Sequence, residues 1–230
     1  MSIGVVIPCH RPRLQDLKEC LDAFYAPDGR YRVVVVTTLP DTIYHDDLYD
    51  FPGVRVVSTG SDEINLAKWY NLGFDYWMNG HWEFSRITGV MWMETDVRIT
   101  PPNIDALYDA MIEHDLDLVG PDLFGLLRPD EVLIRREVQP LDHRERLCQV
   151  HLAPATSTHR MDERFDWWFE SSDLEYKARV AKGTGLVGAS RADHTPTYYN
   201  DMVKGNRPDL VEKANRGREL FTKKWGHAPI

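Results

Sequence analysis

The chain has 230 residues, 43% of them hydrophobic and 27% charged, with a formal charge of −9 at neutral pH. That length and balance describe one domain with a sizeable core and exclude a disordered or fibrous chain. No apolar run is long enough to span a membrane as a helix, and the acidic charge disfavours broad attachment to nucleic acid or anionic lipid. The opening MSIGVVIPCH lacks the basic and long apolar segments of a signal peptide, so a cytoplasmic location without membrane insertion is expected. Three cysteines, Cys9, Cys20 and Cys148, form no CxxC pair and read as free thiols.

In chain order, residues 4–8 (GVVIP) read as a buried strand ending at proline. Leu14, Leu17, Leu21 and Phe24 then recur at helical spacing over 12–25. Residues 32–38 and 54–58 predict two more strands. A helix is expected over 62–78, with Ser61 or Asp62 as its N-cap. A strand over 90–93 runs into the polar triplet Glu94-Thr95-Asp96. A helix from Pro101-Pro102 to about His114 follows, then a strand over 116–120. This alternation argues for a mostly parallel α/β sheet covered on both faces. Residues 121–165 read as loops and short strands for which antiparallel pairing is open. Helices are expected over 169–182 and 209–225, the last presenting Leu210, Ala214, Phe221 and Trp225 on one face. No linker of distinct composition interrupts the chain, so 1–230 is expected to be one domain of two unequal halves.

Ligands of open α/β sheets bind beyond the carboxyl ends of the strands, where the acidic triplet falls. Glu94 and Asp96, two residues apart in extended chain, project to one side. They offer a hard oxygen site for Mg²⁺ or Mn²⁺ that a diphosphate can complete. The plainer alternative is a solvated strand end, or Asp96 capping the next turn.

A second segment, MDERFDWWFESSDLEYKARVAK, joins an aromatic cluster (Phe165, Trp167, Trp168, Phe169) to Glu170 and Asp173 at the start of a helix. Those carboxylates share a face and suit the helix N-terminus, where simple capping also explains them. Downstream, His194 follows a short apolar run. A lone histidine is commonly structural, but a neutral imidazole can also complete an oxygen-rich metal site.

Together these segments resemble the family-two glycosyltransferases and their GT-A relatives. VVIPCHRPRLQDLKECLDAF is similar to that family's first strand and helix, and Asn71-Leu72-Gly73 to the Asn-x-Gly of its next helix. MWMETDV resembles the DxD strand end, with Glu94 for the first aspartate. Residues 161–194 resemble the FDE…EDxDL…H region. The likeness runs from about Ile3 to Trp225. It implies a GT-A fold with a nucleotide-sugar half over 1–120 and an acceptor-side catalytic half over 121–230. The activity implied is transfer of a sugar from a nucleoside-diphosphate sugar, UDP-linked by preference, with Mn²⁺ or Mg²⁺ as cofactor. By the same resemblance Asp96, Glu94 and His194 are the metal ligands, Glu94 and Thr95 lie by the donor, and Pro8, Cys9 and His10 follow the nucleoside. Lys68 falls near the base or phosphates, and Glu170 and Asp173 face acceptor and sugar.

Two departures qualify the resemblance. Thr37, followed by Thr38, stands where the family has a base-reading aspartate; its hydroxyl still offers uracil a hydrogen bond. Ser171 stands where the family has its general base, and a hydroxyl cannot fill that role unaided. The base is then Glu170 or Asp173 in an inverting reaction, with a retaining one also open. A non-catalytic nucleotide- or sugar-binding module is the main alternative. A sugar nucleotidyltransferase fits less well, because CHRPR lacks the glycines of a phosphate loop. The acceptor (saccharide, protein, lipid-linked sugar or modified nucleic-acid base) and the oligomeric state are not legible. Trp82, Trp167 and Trp168 are candidates to stack on it, though core packing is the commoner fate of tryptophan.

Overall fold

A computed structural model describes residues 1–9, 13–25, 28–38, 43, 45–48, 50–79, 87–140, 143–147, 149–165, 167–194 and 207–228. The first half runs β1 (Ile3–Pro8), α1 (Leu14–Phe24), β2 (Tyr31–Thr37), β3 (Arg55–Ser58), α2 (Leu66–Met78), β4 (Gly89–Met93) and β5 (Val97–Ile99). Next come α3 (Pro101–Glu113), β6 (Leu118–Pro121), β7 (Val132–Arg135) and β8 (Val150–Pro154). The chain continues through α4 (Glu170–Ala181), β9 (Thr184–Val187), β10 (Ala192–His194) and α5 (Pro208–Trp225).

The strands form an eight-stranded sheet in the order β3-β2-β1-β4-β8-β6-β9-β7 and a two-stranded sheet of β10 and β5. β1 through β4 of the large sheet are mutually parallel, and β6 is parallel to β9. The antiparallel strands of the second half are built into that sheet, β8 between β4 and β6 and β7 along the edge. The fold is therefore the mostly parallel α/β sheet expected, with an antiparallel component on the C-terminal side.

Alternation along the central strands divides the core. Val5, Ile7, Val33, Val35, Met91 and Met93 pack with Leu17, Leu21 and Phe24 of α1 and Leu107 of α3. Val6, Val34, Val36 and Trp92 pack with Trp69, Phe74 and Trp77 of α2 and Leu174 of α4. Burial on both faces is why these strands read as continuous apolar runs. A third cluster of Phe165, Phe169, Tyr176 and Phe221 lies between α4 and α5.

One helix start moves, and α2 and α5 each gain a packing reason. α2 starts at Leu66 rather than near Asp62, because Asn65 caps it, its side chain accepting from Lys68 N at 2.8 Å. The Asn-x-Gly of that helix is a packing device. Asn71 Nδ2 donates to Met161 O (2.9 Å) and its Oδ1 accepts from Met161 N (2.9 Å), pinning the segment before α4. Gly73 lets the helix lie against β1, since a Cβ there would stand 2.2 Å from Val6 Cγ1. On α5 the buried residues are Leu210, Gly217 and Phe221, with Ala214 and Trp225 half-buried. Gly217 replaces a side chain on that face because its Cβ would come within 2.9 Å of Trp168 O. Among the described residues no helix is long and apolar enough to cross a membrane.

Candidate functional site

The carboxyl ends of β1, β2, β3 and β4 open on one edge of the sheet, as their parallel register requires. There Pro8, Cys9, Thr37 and Thr38 are buried side by side, with Cys9 N donating to Val36 O at 2.9 Å. Lys68 is exposed in the first turn of α2. His10, the third residue expected along the nucleoside, lies outside the described residues, as do Trp82 and Cys148.

At the end of β4 the chain makes a tight turn. Glu94 N donates to Gln149 O (3.0 Å) and Val97 N returns to Glu94 O (3.3 Å), which places Glu94, Thr95 and Asp96 in the turn directly beyond the strand. Thr95 is buried and its carbonyl accepts from Arg98 Nη1 at 2.7 Å. The chain then re-enters as β5, which pairs with β10 so that His194 stands opposite Val97. That register puts His194 Nε2 3.7 Å from Asp96 Oδ1, while Arg13 Nη2 donates to Asp96 Oδ2 at 3.3 Å. Glu94, Asp96 and His194 each present a ligand atom within 4.8 Å of the others, so the three are close enough together to share one cation.

Electrostatics supports the same reading. Burial, the charge of Asp96 and the charge of Glu170 hold the Glu94 carboxyl well above its usual range, with Arg13 opposing. Burial lowers His194, and Asp96 opposes that shift. A buried carboxyl raised by burial and by neighbouring acid charge, beside an imidazole whose protonation burial disfavours, is a donor set that a divalent cation would stabilise. Tyr70, buried on α2, feels the charges of Glu94, Glu170 and Asp96; burial chiefly keeps its phenol protonated.

The two carboxylates of α4 have different surroundings. Glu170 is buried at the first position of the helix and within the field of Glu94. It is delivered by Phe169, whose backbone is left-handed at φ 70°, a conformation that costs a side-chain-bearing residue roughly 1–2 kcal/mol. Asp173 is fully buried and points away toward α5. It accepts from Trp225 Nε1 (2.8 Å) and pairs with Lys224 Nζ (2.7 Å) and Lys177 Nζ (2.9 Å). Ser171, between them in sequence, is half-buried, as are Trp167 and Trp168.

Sequence reasoning missed Arg13 and Tyr70. Arg13 left one signal, a basic residue directly before the first helix. Tyr70 left none, since an aromatic at helical apolar spacing reads as core.

The sequence matches no protein-family profile and no curated protein. The structure does have relatives. It is similar to S. aureus TarS (residues 1–349) in complex with UDP, with a TM-score of 0.63 at 11% identity over 99% of this chain and 72% of that one. The same protein in complex with UDP-GlcNAc gives 0.60 at 12% identity, over 99% and 74%. GalNAc-T7 with UDP, GalNAc and Mn²⁺ gives 0.60 at 11% identity, over 84% of this chain and 44% of that one. These likenesses establish the GT-A glycosyltransferase fold for this chain.

Proposed function

We propose that the chain is a metal-dependent glycosyltransferase that moves a sugar from a nucleoside-diphosphate sugar, UDP-linked by preference, to an acceptor hydroxyl. The observation that carries this reading is the Glu94–Asp96–His194 cluster at the carboxyl edge of a GT-A sheet. Two carboxylates and one imidazole suit Mn²⁺ somewhat better than Mg²⁺, which prefers oxygen alone. The ligands bound by the structural relatives, UDP, UDP-GlcNAc and Mn²⁺, agree with that donor and cofactor class.

In this scheme residues 1–120 hold the donor and 121–230 the acceptor and the base. Pro8, Cys9, Thr37 and Thr38 border the nucleoside, and Lys68 supplies positive charge to base or phosphates. The cation, when bound, supplies Lewis-acid stabilisation of the charge on the departing diphosphate. Glu170 is assigned as the general base. It takes the acceptor proton as the acceptor oxygen bonds to the anomeric carbon, and the carbon–oxygen bond to the diphosphate breaks with its electron pair leaving on the phosphate oxygen. That single displacement inverts the anomeric centre. Glu170 is preferred over Asp173 because lysine ammoniums and an indole N–H hold both oxygens of Asp173.

The test is UDP release from UDP-GlcNAc, UDP-GalNAc and UDP-glucose with and without Mn²⁺. Mn²⁺-dependent release is expected, Asp96→Ala should abolish it, and Glu170→Gln should lower it by about 10²-fold or more. UDP binding with no release from any donor would instead favour a non-catalytic binding module, and retained anomeric configuration in the product would replace the inverting scheme.

A further inference from the structure

Asp173 is a fully buried, multiply paired carboxylate of α4, and the glycosyl-transfer scheme gives it no direct part. Three cationic or N–H groups converge on it, two of them from the last turn of α5: Lys224 Nζ and Trp225 Nε1. Lys224 also reaches Asp162 Oδ2 at 3.0 Å, tying the segment before α4 to the same point. Asp173 N donates to Phe169 O at 2.9 Å, so the clamped residue is hydrogen-bonded to the left-handed residue that starts the helix.

The rings around Phe169 act on the same turn. Phe169 and Phe221 have centroids 6.1 Å apart, Tyr176 and Phe221 5.1 Å, and Tyr176 and Trp225 5.3 Å. Gly217 allows α5 to close on Trp168 O. A left-handed phenylalanine persists only where its surroundings hold it there, and such residues concentrate at functional positions. Here the next residue is Glu170, buried within the field of Glu94.

We propose that the last turn of α5 is the positioning element of this site: Lys224 and Trp225, acting through Asp173, hold Phe169 left-handed and so fix the position of the Glu170 carboxylate at the start of α4. Asp173, Lys224 and Trp225 are positioning residues and touch no reacting atom. The inference rests on the assignment of Glu170 as base, so its test separates the two.

Lys224→Met and Trp225→Phe are compared with Lys213→Met, which removes a different α5 anchor, the bond from Lys213 Nζ to Ile64 O at 3.0 Å. The readout is Mn²⁺-dependent hydrolysis of the most rapidly cleaved of UDP-GlcNAc, UDP-GalNAc and UDP-glucose. The first two variants should lower kcat at least about tenfold, the order expected of a small misplacement of a reacting group. The Kd for UDP with Mn²⁺ should stay unchanged. Lys224→Arg should restore kcat, and Lys213→Met should lower only Tm. Trp225→Phe removes a single N–H donor and keeps the helix packed if Lys224→Met fails to fold. Crystal structures of the folded variants give a readout independent of turnover: Phe169 should leave positive φ and Glu170 should move from its place at the start of α4. If Glu170→Gln leaves turnover intact, the base assignment falls. If Glu170→Gln is inactive but the clamp variants keep wild-type kcat, or Glu170 stays in place in their structures, the positioning role is overturned.

Discussion

His194 Nε2 stands 3.7 Å from Asp96 Oδ1 because the β5–β10 register sets His194 opposite Val97, the residue after Asp96. Backbone pairing, rather than side-chain contact, brings the third candidate ligand to the acidic turn. His194→Ala should therefore weaken Mn²⁺ binding at least about tenfold while leaving the ribbon intact, and Asp96→Ala should remove it. Titration calorimetry of Mn²⁺ with UDP present checks both, and unaltered affinity in either variant would reject the ligand set.

Asp162 provides the pH-dependent prediction. Hydrogen bonds from Arg164 (2.8 and 2.6 Å) and from Lys224 (3.0 Å) hold its carboxyl well below the ordinary range. A depressed folded pKa contributes stability that is fully present above the unfolded value, about 3.9, declines below it and is lost as pH falls through the folded value. Asp162→Asn should lower Tm by about 2–4 °C at pH 7, and the gap between the two melting curves should start to narrow below about pH 4 and go on shrinking as pH falls toward the depressed folded value. A difference that persists unchanged at pH 3 would contradict the assignment.

Gly73→Ala should be costly despite the better helix propensity of alanine. The new Cβ meets Val6 Cγ1 at 2.2 Å in the middle of the sheet's fully buried first strand, and overpacking of this kind costs about 1–3 kcal/mol. Urea denaturation measures it. A neutral result would mean that α2 can move outward from β1 without loss.

Cys9 and Cys20 are buried thiols beside the site, and Cys20 Sγ lies 3.8 Å from Glu94 O. Burial pushes the Cys20 thiol up to about 12 and raises Cys9 as well. Because the thiolate is the reactive species, neither should be labelled by iodoacetamide at pH 8 in the folded protein, and both should react on unfolding. Mass spectrometry of labelled peptides reads the result.

Much of this architecture was legible because the central strands are buried on both faces and therefore read as unbroken apolar runs, as in VVVV over 33–36. The acidic turn was legible for a related reason: a charged triplet directly after such a run has to lie at the sheet's edge. Asn71 and Gly73 were visible as a motif, but their work is tertiary, pinning Met161 and admitting Val6, and no local pattern states that. Arg13 and Asp173 were obscured in opposite ways. A basic residue beside a helix start carries no record of its distant carboxylate partner, and an acid at a helix N-terminus looks the same whether it meets substrate or is clamped by Lys224 and Trp225.

The ribbon also separates folding from ion capture. Every strand of the eight-stranded sheet is complete by Val187, yet His194 and the α5 clamp on Asp173 lie beyond it. A chain cut after Val187 would keep every strand of the eight-stranded sheet and lose one of the three candidate cation ligands together with the α5 partners that hold Asp173.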